Sequence, residues 1–470
     1  MTDTRSDRPD TDDVLLKQIQ ALGLRHIIDI SCGTGAFVEG LRRRGYGGAA
    51  YSVALTRRQQ TALGKACRRD HRWFVLRPGA AGRHNGWAPD AAPSPRPLGV
   101  EPIYAQRLDG ILPPVLRRRA FAVRLTLDGD SRAALDGLGA LREHLAVLQV
   151  VVPPEARGDA DAVLAVLQND VIRQTGLRDI HVQTTRIEPG GAAATVSYTF
   201  WRPLTEAERQ PESAGPEVVI VTSIGGTASR VGVDGSNVGP TWQSQCIESW
   251  AAMGRPIYSV SEMPSPDDRI QQIAVPSRPS ITEILSQARR RAPGASLLLV
   301  NADIVLTPAL KRLLDDHEPD TLYFGSRTDV VLQGQNGEIA QTLRGYDRGL
   351  DVFLIPPSLL DSLETWLPLP PGFRIGEPWW DYCPPINAMC RGVATKRLPA
   401  ELGLALHHDH VPPYTQTLTG QNGGTFLKWV DLASRRSGYP VADMLGFPFD
   451  PGKISMRDVM NAVKVVWRAL

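Results

Sequence analysis

The stretch HIIDISCGTGAFVEGLRRRGYGG, His26–Gly48, decides how the first part of the chain is read. Apolar residues run into Asp29 and Ile30, Gly33 and Gly35 follow, and a helix-like spacing of apolar residues leads to Gly45. A strand, a glycine turn and a helix in that order open many nucleotide-type cofactor sites. Glycine lets the backbone come close to a ligand, and the helix start faces it. The same residues also suit a tight strand-to-helix turn with no ligand. Asp29, Gly33 and Gly35 are therefore candidate cofactor-binding residues.

Working outward, strand-like and helix-like segments alternate from Leu15 to about Pro203. GAAYSVAL, RWFVL, FAVRLTL and VLQVVVP read as strands; RRQQTALGKACRRD, SRAALDGLGALREHL and ADAVLAVLQNDVIRQTG read as helices. DIHVQTT and AATVSYTFWR close the region as an antiparallel-looking pair. GAAGRHNGWAPDAAPSPRPLG reads as a loop by its Gly and Pro content. Such alternation implies a parallel sheet covered on both faces. Residues 1–13, polar and Asp-rich, are expected to be disordered. A polar, aperiodic segment at 206–217 reads as a linker. A second alternation starts at Val218 and runs to 451, and residues 452–470 read as an amphipathic helix whose apolar stripe offers a surface for homo-oligomer pairing. The fold class expected is α/β, in two domains: 14–205 and 218–451.

The 470 residues exceed one ordinary domain, and 42% hydrophobic with 22% charged residues suits a globular protein. A net charge of +2 gives no reason to expect a nucleic-acid or membrane partner. The five cysteines fit neither a zinc motif nor a disulfide framework, which points to a reducing compartment. The polar N-terminus lacks the apolar core of a signal peptide, and no apolar run reaches the ~20 residues of a membrane span. A cytoplasmic location is the expectation.

IIDISCGTGAFVEGLRRRGYGGAAYSVAL resembles the opening of the FkbM-type methyltransferases, whose D-G-x-N-x-G-x-F turn leads to a helix, L-R-x-x-G-Y-x-G and a strand ending S-F-E-P. RLDGIL and VRLTLDGDSRAALDGLGALREHLAVLQVVV continue the likeness, over most of residues 20–203. The resemblance implies a Rossmann-like fold and an S-adenosylmethionine site at Asp29, Gly33 and Gly35. Two departures weaken that site. Ala54 stands where the family offers a ribose-binding Glu, and Thr126 where it has Asp, with Asp128 and Asp130 further on. Losing one charge-assisted hydrogen bond to a buried hydroxyl pair costs about 1.5–3 kcal/mol. The domain is therefore expected to keep the fold and to be a poor or inactive methyltransferase.

In the second region SLLLVNADIVLTP carries the most information. Its apolar run leads into Asn301, Ala302 and Asp303. This puts Asp303 at the carboxyl edge of a sheet, where open α/β sheets bind ligands. An Asp there can hold Mg²⁺ or Mn²⁺ against a nucleotide sugar's diphosphate; it can equally start a turn before TPALKRLL. VVIVTSIGG reads as a first strand that cradles the base, with Ile224 and Gly225 at its end. FRIGEPWWDYCPPINAMC sets Glu377 and Asp381 beside Trp379 and Trp380. An indole stacks on a sugar face while carboxylates take hydroxyls or a proton, although paired tryptophans also serve as core. LALHHDHVPPY holds His407, His408 and His410, of which His408 and His410 share a face if the segment is extended. Arg327 and Arg344 are candidates for phosphate contact or for surface ion pairs.

This region resembles GT-A-type glycosyltransferases, and in particular a group with G-x-D-x-F-x-x-P-x-x-L followed by F-x-I-G-x-P-x-W-D. Gly349 to Leu359 and Phe373 to Tyr382 carry the match. The resemblance implies that Asn301 and Asp303 meet the donor and that Asp303 with a late histidine, His408 or His410, holds the metal. Asp381 would deprotonate the acceptor hydroxyl, with Glu377 in reserve. The function expected is metal-dependent transfer of a sugar from a nucleotide-sugar donor to a carbohydrate, lipid-linked or protein acceptor. The rival readings are a bifunctional methyltransferase and glycosyltransferase, and a non-catalytic binding scaffold.

Overall fold

The computed structural model describes residues 11–30, 35–54, 57–76, 80–81, 86–87, 104–108, 112, 114–117, 119–126, 137–152, 175–177, 179–186, 194–209, 217–225, 231–333, 338–345, 349–391, 393–409, 416–437, 453–455 and 458. The chain divides into two units, Met1–Ser213 and Ala214–Leu470.

The first unit contains α1 (Thr11–Ala21), β1 (His26–Ile30), α2 (Ala36–Arg43), β2 (Ala49–Val53), α3 (Arg57–Ala66), β3 (Trp73–Leu76), β4 (Phe121–Thr126), β5 (Leu145–Val152), β6 (Asp179–Arg186) and β7 (Ala194–Trp201). They form one seven-stranded sheet in the order β3-β2-β1-β4-β5-β7-β6. The five strands from β3 to β5 run parallel, and β7 is antiparallel to both β5 and β6. This is the Rossmann-like form, closed by an antiparallel pair, that the methyltransferase resemblance implies. Every residue of β1, β2 and β5 is buried, as a sheet covered on both faces requires. Helix α2 buries Phe37, Val38 and Leu41. Arg42 then fixes the return to β2, with Nε donating to Asp70 Oδ2 at 2.6 Å and Nη1 to the Tyr46 and Gly48 carbonyls at 2.7 Å each.

Three local expectations change. Helix α1 begins at Thr11, inside the segment expected to be disordered, because Leu15, Leu16 and Ile19 bury one face of it; residues 1–10 lie outside the described residues. The expected linker opens on a helical turn, Glu206–Arg209. Thr205 and Glu208 form a capping box there, the Glu208 N–H donating to Thr205 Oγ1 (3.3 Å) and the Thr205 N–H to Glu208 Oε2 (2.9 Å). Arg202 also donates to both Glu208 oxygens. Of the helix expected in SRAALDGLGALREHL, the described part is a 3₁₀ segment, Gly139–His144. The helix expected at ADAVLAVLQNDVIRQTG falls almost wholly outside the described residues, as does the C-terminal helix at 452–470 with its pairing stripe.

The second unit contains β8 (Val218–Thr222), α4 (Gly239–Ala251), β9 (Ile257–Ser261), β10 (Ile270–Ala274), α5 (Ile281–Arg291), β11 (Ser296–Val300), β12 (Ile304–Leu306) and α6 (Pro308–Asp315). It continues with β13 (Thr321–Gly325), β14 (Thr328–Gln333), β15 (Glu338–Gly345), β16 (Val352–Ile355), α7 (Cys383–Arg391), β17 (Ala394–Leu398), β18 (Ala405–His408) and α8 (Gln416–Ser437). The main sheet has the order β10-β9-β8-β11-β16-β13-β17, and a smaller sheet the order β12-β18-β14-β15. In the main sheet β16 runs antiparallel to both of its neighbours, β11 and β13; the other pairs are parallel.

The apolar run SLLLVNADIVL, which reads as one strand, is two. Strand β11 ends at Val300, and β12 joins the other sheet. The turn between them is Asn301–Asp303, so Asp303 stands where one sheet hands over to the next. Helix α4 holds this turn by three side chains. Trp242 Nε1 donates to the Asp303 carbonyl (2.9 Å), Trp250 Nε1 to the Ile304 carbonyl (2.8 Å), and the Leu306 N–H to Ser249 Oγ (2.9 Å). Pairing these three backbone groups spares them the desolvation penalty of a buried strand break. Among the described residues, no helix is long and apolar enough to cross a membrane.

Candidate active site

The residues that gather around the Asn301–Asp303 turn come from both sheets of the second unit. Strand β18 pairs antiparallel with β12 and parallel with β14, so His407 lies opposite Ile304 on one side and Asp329 on the other. Its ring consequently bridges two acids: Nδ1 is 2.9 Å from Asp329 Oδ1, and Nε2 is 3.4 Å from Asp303 Oδ2. The His407 side chain is 4% exposed and that of Asp303 28%, so the array opens outward at Asp303.

Behind it lies a second, linked set. Arg327 Nε donates to Asp329 Oδ1 (2.8 Å), and its Nη1 donates to both oxygens of Asp351 (3.0 Å each). Asn301 Nδ2 donates to Asp351 Oδ1 (2.8 Å). The next residue back, Leu350, donates its backbone N–H to Asp381 Oδ2 (3.0 Å). Asp303, Asn301, Arg327 and Asp381, each singled out in the sequence, thus belong to one neighbourhood.

Burial and charge set the ionisation of this cluster. Burial pushes Asp381 up to about 7, with the Leu350 N–H opposing that and the nearby Asp351 charge adding to it. Burial also raises Asp351, against the pull of Arg327. At Asp329 burial favours the neutral acid, but the His407 hydrogen bond and the Arg327 charge outweigh it and hold the carboxyl below its ordinary value. Burial disfavours a proton on His407, yet its bonds to Asp303 and Asp329 prevail and its pKa rises.

Several expected roles are corrected. His408 alternates to the opposite face from His407, as neighbours in a strand must. It is buried there, its ring 6.3 Å from that of Trp242. The histidine that meets Asp303 is therefore His407; His410 lies outside the described residues. Trp380 is core and not a sugar platform: it is 2% exposed and packs on Phe353 at 5.2 Å. Trp379 is equally buried, stacked on Phe426. Glu377 faces Arg278 (3.6 Å) and Arg374 (3.9 Å) in its own loop. Arg327 spends its guanidinium on Asp329 and Asp351, which leaves it a poor candidate for phosphate. The Ile224 side chain is buried and its N–H donates to Ser259 Oγ (3.2 Å), whereas Gly225 is exposed, with no atom of the described residues within 4 Å of where a Cβ would stand. The Arg344 side chain lies outside what is described.

A divalent ion fits part of this arrangement. Asp303 Oδ2 and His407 Nε2 converge, and the far nitrogen of His407 meets a carboxylate, as the ring of a metal-bound histidine does. Mg²⁺ commonly uses one or two protein donors and completes its shell with substrate phosphate and water. Among the described residues there is no group of three His, Cys, Asp or Glu that could hold a metal. Asp303 and His407 offer two converging donor atoms, and no third protein donor joins them among the described residues.

The corresponding edge of the first unit is arranged differently. Asp29 has a 2% exposed side chain, and Arg124 from the adjacent β4 donates to its Oδ1 at 3.3 Å while lying 4.3 Å over the Phe37 ring. Gly35 is in the left-handed region (φ 101°), and a Cβ there would come within 2.6 Å of the Trp73 ring. The glycine makes room for an indole of its own unit. That indole is fixed in turn by its Nε1 bond to Ser52 Oγ (2.9 Å). Ala54 is fully buried. Gly33 lies outside the described residues, as do Asp128 and Asp130. Among the described residues at this edge, the acid is paired with a cation of its own sheet and the glycine faces a ring; residues 31–34 of the turn lie outside them.

No family model matches the chain, and no curated protein matches it. Solved structures similar to it include the methyltransferase domain of bacterial CtHen1, at 10% identity over 41% of this chain and 97% of that one, with a TM-score of 0.27. The N-methyltransferase NodS from Bradyrhizobium japonicum matches at 11% identity over 41% and 94%, with a TM-score of 0.26. The N-terminal domain of human METTL16, solved in complex with SAH, matches at 10% identity over 40% and 68%, with a TM-score of 0.25. Likeness at this level decides nothing about chemistry.

Proposed function

We propose that the second unit is a GT-A-type glycosyltransferase that moves a sugar from a nucleotide-sugar donor to an acceptor hydroxyl. The observation that carries this reading is the partly exposed Asp303 in the turn after β11, backed by His407 and Asp329 and linked through Asn301, Asp351 and the Leu350 N–H to a buried carboxyl, Asp381, raised to about 7. Asp303 and His407 would hold Mn²⁺ or Mg²⁺; when bound, the ion offsets the charge that builds on the departing diphosphate. Gly225, open at the end of the first strand, gives the nucleotide close access to the backbone. Asp381 takes the proton of the acceptor hydroxyl as its oxygen bonds to the anomeric carbon and the bond from that carbon to the diphosphate oxygen breaks. A carboxyl poised near neutrality suits a general base. Arg327 holds Asp329 and Asp351 in place and touches no substrate. The acceptor is a glycan, a lipid-linked sugar or a protein.

The first unit, in this reading, keeps a methyltransferase-type sheet without methyl transfer, supported by the Asp29–Arg124 pair and the Trp73 ring against Gly35. The test is a thermal-shift screen of nucleotide sugars with and without Mn²⁺, followed by donor turnover with the best ligand. A ligand bound to the folded state raises the melting temperature. The expected result is a Mn²⁺-dependent rise with one nucleotide class. No rise with any nucleotide sugar would remove the assignment.

A further inference from the structure

Trp379 is the one non-glycine residue with positive φ among the described residues (φ 86°, ψ −24°). A bulky aromatic residue in that region is an outlier. Such a backbone is strained and persists only where its surroundings over-determine it. Here helix α8 does so. The Trp379 ring stacks on Phe426 with centroids 5.3 Å apart and planes 26° apart, and its Nε1 donates to the Thr419 carbonyl (2.9 Å). The Asn422 side chain, on the same helix, donates to the Pro378 carbonyl (3.4 Å). Tyr382 lies tilted against the indole at 5.9 Å.

The strained residue has a specific consequence. It begins the single 3₁₀ turn Trp380–Tyr382 that leads straight into α7. Reversing the chain at this point sends Trp380 into the core against Phe353 and turns Asp381 to the Leu350 N–H. Glycine would adopt this backbone without strain, so a tryptophan here indicates that the ring's anchorage is needed in addition to the turn.

We infer that Trp379 is a positioning residue: anchored to helix α8, its left-handed backbone holds the Asp381 carboxyl on the Leu350 N–H, next to Asp351, where the acceptor base is proposed. The inference rests on the reading of Asp381 as the acceptor base. The charged and titratable groups that act on Asp381 are Asp351 and Arg327, beside the Leu350 N–H, and the Cys383 thiol feels the Asp381 charge in return.

The test follows the Asp381 carboxyl in the full-length protein, by carbon-13 NMR titration of aspartate-labelled chain, with Asp381→Asn identifying its signal. Trp379→Gly keeps the backbone accessible and removes the anchor; Phe426→Leu keeps the core apolar and removes the stacked partner; Trp379→Phe keeps a ring. Circular dichroism reports folding. The Asp381 titration is expected to fall by about one unit in Trp379→Gly, less in Phe426→Leu, and to stay near wild type in Trp379→Phe. An unmoved titration in folded Trp379→Gly overturns the inference. If that variant does not fold, an unmoved titration in Phe426→Leu does the same. A moved titration supports it. If the titration moves but the wild-type protein transfers no sugar, the base assignment falls and the inference with it; an unmoved titration in a protein that does transfer sugar overturns the inference alone.

Discussion

Each unit carries an acid near the carboxyl end of a buried central strand, Asp29 within β1 and Asp303 in the turn after β11, and the two acids have opposite surroundings. In the first unit Asp29 is closed off, with Arg124 on the neighbouring strand as its countercharge. In the second, Asp303 is more than a quarter exposed and is met by a histidine that a third acid holds. Arginine cannot be deprotonated in a protein, so Asp29 is permanently satisfied. Histidine can give up its proton, so the Asp303 arrangement can be taken over by an incoming ligand. An acid at a strand end is thus open to a ligand according to what stands beside it, and not according to its place on the strand.

The sharpest way to break this contrast is Asp381→Asn, expected to lower kcat for sugar transfer about 10²–10⁴-fold with the protein still folded; undiminished turnover would remove Asp381 from the chemistry. The same variant changes the pH dependence of stability. Asp381 has a folded pKa of about 7 against an ordinary 3.8, so the folded state holds the extra proton between those values. Wild-type stability therefore falls as pH rises from about 4 to about 7 and levels off above that. Denaturant melts of Asp381→Asn should lack this slope. Asp303→Ala is expected to cost about 10²–10³-fold in donor turnover, and full activity in it would refute the site.

A smaller effect is expected from the residue behind the histidine. Asp329→Asn should weaken Mn²⁺ binding about 10–100-fold, read by isothermal titration, whereas His408→Ala should lower the melting temperature and leave Mn²⁺ binding alone. The Glu208 pKa is lowered to about 2 by its bonds to Arg202 and Thr205, which overcome burial. Its stabilisation is present above the ordinary 4.5 and lost as pH falls towards 2. Glu208→Gln should accordingly destabilise the protein at neutral pH and narrow the gap to wild type in acid melts. The smallest effect expected is none at all: calorimetric titration with S-adenosylmethionine should give no micromolar binding, and a clear isotherm would overturn the contrast between the two edges.

Much of this was legible in the sequence. Strand-and-helix alternation located all seven strands of the first unit's sheet but few of the second unit's, and the apolar run before Asn301 put Asp303 at an edge. The rest depended on register. Which of His407 and His408 faces Asp303 is a matter of parity, fixed by the pairing of β18 with β12, and no local pattern reveals it. Asp351 and Asp329 lie 48 and 26 residues beyond Asp303 in the chain, and only the arrangement of β14, β16 and β18 brings their side chains to it. The tryptophans at 379 and 380 suggested a sugar platform because composition does not record burial. Gly35 suggested a ligand because a missing side chain does not say what fills its place.

The bond from Trp242 Nε1 to the Asp303 carbonyl makes the second unit its own optical probe. Indole emission follows the polarity and hydrogen bonding of its N–H, and this N–H ends on the backbone of Asp303, the residue at the centre of the proposed site. A ligand that draws the Asp303 turn towards itself changes the emission of Trp242. Trp242→Phe, compared with the parent protein, isolates that signal from the other nine tryptophans of the ten in the chain, so occupancy can be followed by light without a label.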